Sequence, residues 1–146
     1  EGTTISHLSD IVEKSGIILG VEINAKTMQK FMYLCERRVN LVPVLADANQ
    51  PESYKEYFGR DKVDFLFQDV SQKNQAEIFL KNSRMYLKPG SKAMLSIKAR
   101  SISQTDPFKK IVDNEKNKLE KEFEILQVIN LEPFEKEHAL ILCERK

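Results

Sequence analysis

Five residues in this chain combine a reactive side chain with a telling place in the sequence: Glu22, Asp47, Asp69, Lys98 and His138. The first four each close a short apolar run, over residues 16–22, 41–47, 63–69 and 93–98. An acid in the place of Glu22 suits the ribose hydroxyls of a nucleotide, and it equally suits the positive end of a following helix. A lysine that closes a buried strand is costly unless it is paired or stands at the sheet's rim. Asp69 is a partner of opposite charge, and Lys98 beside it would favour the ionised form of a substrate hydroxyl or accept its proton. His138 either completes the same crevice or caps a strand at a turn. His7, on an amphipathic stretch, reads as structural.

These side chains meet only if the chain places them at one edge of a sheet. The four apolar runs are nearly continuous, as in strands buried on both faces. Pro43 inside the second run marks that strand as an edge. Between the runs lie stretches of helical periodicity, over residues 25–38 and 74–87, the latter stopped by Pro89-Gly90. Residues 5–13 and 106–122 show the same period, the latter with a charged, solvated face. Strand alternating with helix predicts an α/β fold with a mainly parallel sheet, whose ligands sit at the carboxyl ends of the strands. The last two strand-like runs, 123–131 and 139–143, are separated by too few residues for a parallel crossover, so they pair antiparallel.

The 146 residues suffice for one domain with a core. Lys and Arg number 23 against 22 Asp and Glu, a net charge of +1. A protein that grips RNA alone carries a clear basic excess, so an RNA substrate here implies a helper. No apolar run approaches the length of a membrane span, so no membrane partner is expected. Cys35 and Cys143 have the spacing of neither a zinc site nor a disulfide framework and read as reduced, buried thiols.

Taken in order, the motifs resemble the fibrillarin family over essentially the whole chain. Gly2-Thr-Thr-Ile-Ser-His-Leu-Ser-Asp10 resembles the end of its cofactor loop and first helix, and Gly20-Val-Glu22 its acidic second strand. Ala46-Asp47-Ala48 is similar to its adenine-side motif, and Asp69-Val-Ser-Gln72 to its Asp-Val-Ala-Gln. Ser96-Ile-Lys-Ala-Arg-Ser-Ile102 resembles the archaeal lysine motif, and Leu131-Glu-Pro-Phe-Glu-Lys-Glu-His138 the closing motif. The resemblance implies a class I, Rossmann-like S-adenosylmethionine-dependent methyltransferase with a C-terminal antiparallel hairpin. It implies transfer of methyl to a ribose 2′-hydroxyl of RNA, with S-adenosylmethionine as cofactor and no metal. Carried over by motif, Glu22 and Ile23 would hold the cofactor ribose, and Asp47 and Ala48 would flank adenine. Thr3, Thr4, Asp69 and Gln72 would line the methionine side. Asp69, Lys98 and His138 match three members of a catalytic tetrad, in which Lys98 favours the alkoxide-like oxygen and Asp69 orients Lys98.

The same resemblance implies a box C/D ribonucleoprotein: guide RNA, target RNA, a Nop-type scaffold protein and, indirectly, a kink-turn-binding protein. The archaeal form of the lysine motif suggests a cytoplasmic particle; a eukaryotic one would be nucleolar. Two departures stand out. The family's first strand and its upstream tetrad lysine have no counterpart, so residues 1–146 read as a catalytic domain truncated at its N-terminal side. Ser71 stands where the family usually has Ala, a mild change. One alternative is a catalytically silent assembly subunit of the same particle. A nicotinamide-dependent oxidoreductase is a weaker one, opposed by the antiparallel ending and the lack of a complete Gly-x-Gly-x-x-Gly.

Overall fold

The structure, a computed structural model, describes residues 9–11 and 15–146. The chain divides into two compact units, Glu1–Gly59 and Arg60–Lys146.

In the first unit, residues 9–11 are helical; the rest of the helix expected over residues 5–13 lies outside the described residues, as does His7. Strand β1 (Ile18–Glu22) runs into helix α1 (Ala25–Arg37) and strand β2 (Leu41–Leu45). A 3₁₀ helix (Pro51–Tyr57), which periodicity did not reveal, follows. Asn24 starts α1 because its side chain accepts from the N–H groups of Lys26 and Thr27, at 2.9 and 3.1 Å. The helix buries Met28 and Phe31 against Leu41, with Ile18, Leu34 and Cys35 around them. The two strands are parallel, with Glu22 opposite Leu45, so both run toward the end that carries Glu22 and Asp47. Pro43 sits in β2, whose one strand neighbour among the described residues is β1. A residue without an N–H is tolerated in such an edge strand.

The second unit holds β3 (Val63–Gln68), helix α2 (Gln75–Tyr86), β4 (Leu87–Lys98), a short helix α3 (Ala99–Ile102), helix α4 (Phe108–Leu119), β5 (Phe123–Asn130) and β6 (His138–Arg145). The sheet order is β3-β4-β6-β5. The β3–β4 pair is parallel, whereas β6 is antiparallel to both β4 and β5. The brief loop between β5 and β6 requires this. Alternate residues Ala93, Leu95 and Ile97 of β4 lie beside Cys143, Ile141 and Ala139 of β6, and all six are buried. Phe79 and Leu80 of α2 and Ile111, Val112 and Leu119 of α4 complete this core.

Strand β4 begins earlier than expected. Val63 pairs with Leu87, and the register then shifts before Phe65 meets Lys92. Pro89-Gly90 therefore lies inside the strand, with Gly90 at φ 81°, a left-handed turn of the backbone that glycine accepts without strain. The shift absorbs the proline instead of ending the pairing there.

A buried acid fastens the two large helices. Glu115 of α4 is 1% exposed and accepts from the Ala76 N–H in the first turn of α2 at 3.1 Å. Lys118 lies 2.9 Å from both Glu115 and Glu77. Burial alone would lower the Lys118 pKa, but its hydrogen bonds to the two carboxylates outweigh that and raise it. Burial alone would likewise raise Glu77, but the Lys118 bond and charge hold it below the ordinary value.

Both cysteines are free, Cys35 half-buried and Cys143 fully buried. Burial pushes the Cys143 thiol up to about 12. Because the thiolate is the reactive form, a thiol reagent at pH 8 is expected to label Cys35 in the folded protein and to leave Cys143 until the second unit opens. Mass spectrometry of the labelled peptides checks this, and equal labelling rates would mean that the Ala139–Cys143 segment is not packed as described. The sign for stability follows. Between the ordinary thiol value and about 12 the unfolded chain loses the Cys143 proton while the folded chain keeps it, so this residue's contribution falls as pH rises through that window.

Candidate active site

The carboxyl-end rim of the second unit's sheet gathers three of the five residues that the sequence marks as reactive: Asp69, Lys98 and His138. Lys98, the last residue of β4, is the register partner of His138, the first residue of β6. Gln68 of β3 pairs with Leu95 of β4, so Asp69 follows directly at the same end. The Lys98 ammonium lies 3.2 Å from Asp69 Oδ1. It also donates to Ser71 Oγ at 3.1 Å. Asp69 and Lys98 remain partly open to solvent, so the pair is accessible to a ligand. His138 joins Lys98 through the backbone ladder, while its Nδ1 stands 3.5 Å from Glu135 Oε2 without hydrogen-bond geometry. Gln72, half-buried, follows Ser71 in the loop that leads to α2.

The main chain at Lys98 is held as firmly as its side chain. Gln75, the first residue of α2, is fully buried. Its Oε1 accepts from the Lys98 N–H at 3.1 Å, and its Nε2 donates to the Lys98 carbonyl at 3.2 Å. The amide thus bonds Lys98 as a neighbouring strand would, at the point where β3 has ended. Gln68 Nε2 in turn donates to the Gln75 carbonyl at 2.7 Å. Buried amides bonded on both sides hold one geometry, because an unmade bond there is costly.

Arg100 braces the turn after Lys98. Its Nη1 and Nη2 donate to the carbonyls of Ser103 and Asp106, at 3.0 and 2.9 Å, and its Nε lies 3.0 Å from Glu137 Oε2. Ala99 N–H donates to the Glu137 carbonyl at 3.2 Å. The residue before His138 is therefore bound to both residues after Lys98.

In the first unit, the other expected ligand residues lie at the carboxyl end of the parallel pair. Glu22 ends β1, and its Oε1 accepts from the Asn24 N–H at 2.9 Å. The acid thus also braces the start of α1. Ile23, next in the chain, is exposed. Asp47 Oδ1 accepts from the Asn49 N–H at 2.8 Å and shapes the loop after β2, in which Ala48 is half-buried. Thr3 and Thr4 lie outside the described residues.

Sequence reasoning passed over Gln68 and Gln75 and treated Ser71 as a minor change. A glutamine at a helix start carries no periodic signal, and its burial follows from the pairing of β3 with β4. Ser71 offered one cue, a hydroxyl two residues beyond Asp69.

The fibrillarin family model matches residues 1–146. The fibrillarin-like rRNA/tRNA 2′-O-methyltransferase of Methanopyrus kandleri is 41% identical over 144 residues, which are 98% of this chain and 61% of that protein. The chain thus spans about three fifths of that relative's length. Among solved structures, a fibrillarin/Nop5p complex superposes with a TM-score of 0.94 at 37% identity, covering 99% of this chain and 68% of that one. Aeropyrum pernix fibrillarin, solved with natively bound S-adenosyl-L-methionine, does so with 0.87 at 38%, covering 97% and 61%. The α/β fold with its closing antiparallel hairpin is the fold of these proteins. With a model matched from first residue to last and relatives above 40% identity, the chain belongs to the fibrillarin family.

Proposed function

We propose that the protein carrying this chain transfers a methyl group from S-adenosylmethionine to a ribose 2′-hydroxyl of RNA. The observation that carries this reading is the Lys98 ammonium, 3.2 Å from Asp69 at the open rim of the sheet and opposite His138 in the ladder. Support for the cofactor comes from the chemistry of the residues present. Glu22 and Asp47 place carboxylates at the carboxyl end of a parallel pair, where vicinal hydroxyls and an exocyclic amine find acceptors. Asp69 offers a carboxylate to a group of positive charge. When bound, S-adenosylmethionine supplies a methyl group activated on a sulfonium.

The protein's own share is positioning and charge. The 2′-hydroxyl proton passes to solvent at the open rim, and the Lys98 ammonium donates to the ionised 2′-oxygen and stabilises it in a partly dry site. Asp69 holds that ammonium in place, and Gln75 fixes the backbone from which it extends. His138, held at the entrance of β6 by the Ala99–Glu137 bond, borders the substrate side. By resemblance of motif, we assign Asp69, Lys98 and His138 to catalysis, and Thr3, Thr4, Glu22, Ile23, Asp47, Ala48, Asp69 and Gln72 to the cofactor.

The net charge of +1 supports a substrate held largely by others. We assign that holding to a box C/D particle in which guide RNA selects the target and a Nop-type scaffold and a kink-turn-binding protein place the enzyme. No helix among the described residues is long and apolar enough to cross a membrane. The test is guided methylation with labelled S-adenosylmethionine, using the full-length protein, both protein partners and a target RNA with either a ribose or a 2′-deoxyribose at the guided nucleotide. Label is expected in the ribose target alone. Equal label in both would move the reaction to a base, and no label in either would favour the silent assembly role.

A further inference from the structure

Lys98 is gripped at its head by two groups of different kinds. An ammonium carries three N–H donors in a tetrahedral arrangement. Ser71 Oγ accepts from one of them at 3.1 Å, and Asp69 Oδ1 forms an ion pair with the nitrogen at 3.2 Å. Among the described residues nothing else holds this nitrogen, so at least one N–H is left for a ligand. We propose that Ser71 is a positioning residue, whose hydroxyl fixes the direction of the Lys98 ammonium so that this remaining N–H faces the ribose 2′-oxygen. The proposal rests on the reaction assigned above.

Three observations lead to Ser71. First, a lysine head on a four-carbon stem turns freely about a single ion pair, and a second acceptor removes that freedom. Second, the second acceptor is neutral. A second carboxylate would fix the head equally well but would cancel the positive charge that the 2′-oxygen needs, whereas a hydroxyl leaves that charge intact. Third, the segment that carries Ser71 is bound to Lys98 along its length. Asp69 and Ser71 hold the head, and Gln75 holds the main chain. The loop over residues 69–75 is therefore a cradle shaped around one lysine, and Ser71 is its one neutral contact with the ammonium.

The experiment compares Ser71→Ala, Ser71→Val and Ser71→Thr in the full-length protein. Valine and threonine share a shape and differ in the hydroxyl, so their comparison cancels any effect of the branched side chain on the loop. The first readout is the mobility of the Lys98 side chain by NMR, without RNA or cofactor. Ser71→Ala and Ser71→Val are expected to raise it, and Ser71→Thr to keep the wild-type value. The second readout is guided methylation, in which kcat falls about tenfold for Val relative to Thr, the scale of one lost charged hydrogen bond. The KM for target RNA should hold, and Thr should retain most of the rate. Unchanged Lys98 mobility in all variants, or a Val variant as fast as Thr, would overturn the proposal. A wild-type protein that shows the expected mobility pattern yet transfers no methyl would overturn the reaction and leave the hold of Ser71 on Lys98 standing.

Discussion

Lys98→Ala is expected to lower the rate of guided methyl transfer by about 10²- to 10³-fold, the cost of removing one donor aimed at developing negative charge. The substitution removes the ammonium that lies 3.2 Å from Asp69 and leaves the bonds from Gln75 to the main chain in place. The fold and the cofactor affinity should therefore hold. Lys98→Arg should not restore the rate, because a planar guanidinium cannot meet Asp69 and Ser71 in the directions a tetrahedral ammonium does. Initial rates at saturating S-adenosylmethionine, with cofactor binding measured separately, decide the matter. A Lys98→Ala protein within about twofold of wild type would take the lysine out of the transition state.

That the place of this lysine is legible in the sequence has a physical reason. A charged residue that ends a buried apolar run has few places to go, and the sheet's rim is one of them. His138 was legible only in part: loop length makes the last two strands antiparallel, but that β6 also pairs with β4 and sets its first residue beside Lys98 is read from the structure. What the sequence did not disclose depends on side chains that bond a backbone far off in sequence. Gln75 reaches Lys98 across 23 positions, and no local period encodes that. The same holds for Glu115, which reads as one more charge on a solvated helix and instead lies buried at the start of α2. The early start of β4 was hidden by Pro89-Gly90, which normally ends an element and here sits in an irregular stretch of pairing.

Phe79→Ala is expected to cost about 3–5 kcal/mol, the range for deleting a buried aromatic ring. Phe79 is fully buried in α2, and its ring centre lies 5.3 Å from that of Phe123 at a tilt of 44°. Offset aromatic pairs of this kind add to the burial of area alone. The ring links α2 to the first residue of β5, in a core cluster whose Leu87, Leu95 and Leu119 are themselves fully buried. Urea denaturation followed by a signal from the second unit gives the number. Phe79→Leu, which keeps most of the volume, should lose far less. A cost below about 1 kcal/mol for the alanine variant would mean that the core relaxes around the gap, contrary to the close packing described.

Strand β6 lies between β4 and β5 although it is the latest of the described elements in chain order. During synthesis, β5 leaves the ribosome before β6, its one strand neighbour among the described residues, exists, and the β4 edge that will receive β6 waits open over the same interval. His138 and the Glu137 carbonyl that binds Ala99 arrive with that last segment. The sheet and the reactive rim are therefore completed in one event, by a pairing that spans distant parts of the chain and is slow for that reason. A ribosome that stops short of residue 138 releases a chain with an open β4 edge, an unpaired β5 and an unfinished rim, a form apt to aggregate. The fold thus carries its own quality check, since a copy that has not closed its sheet has not built its site.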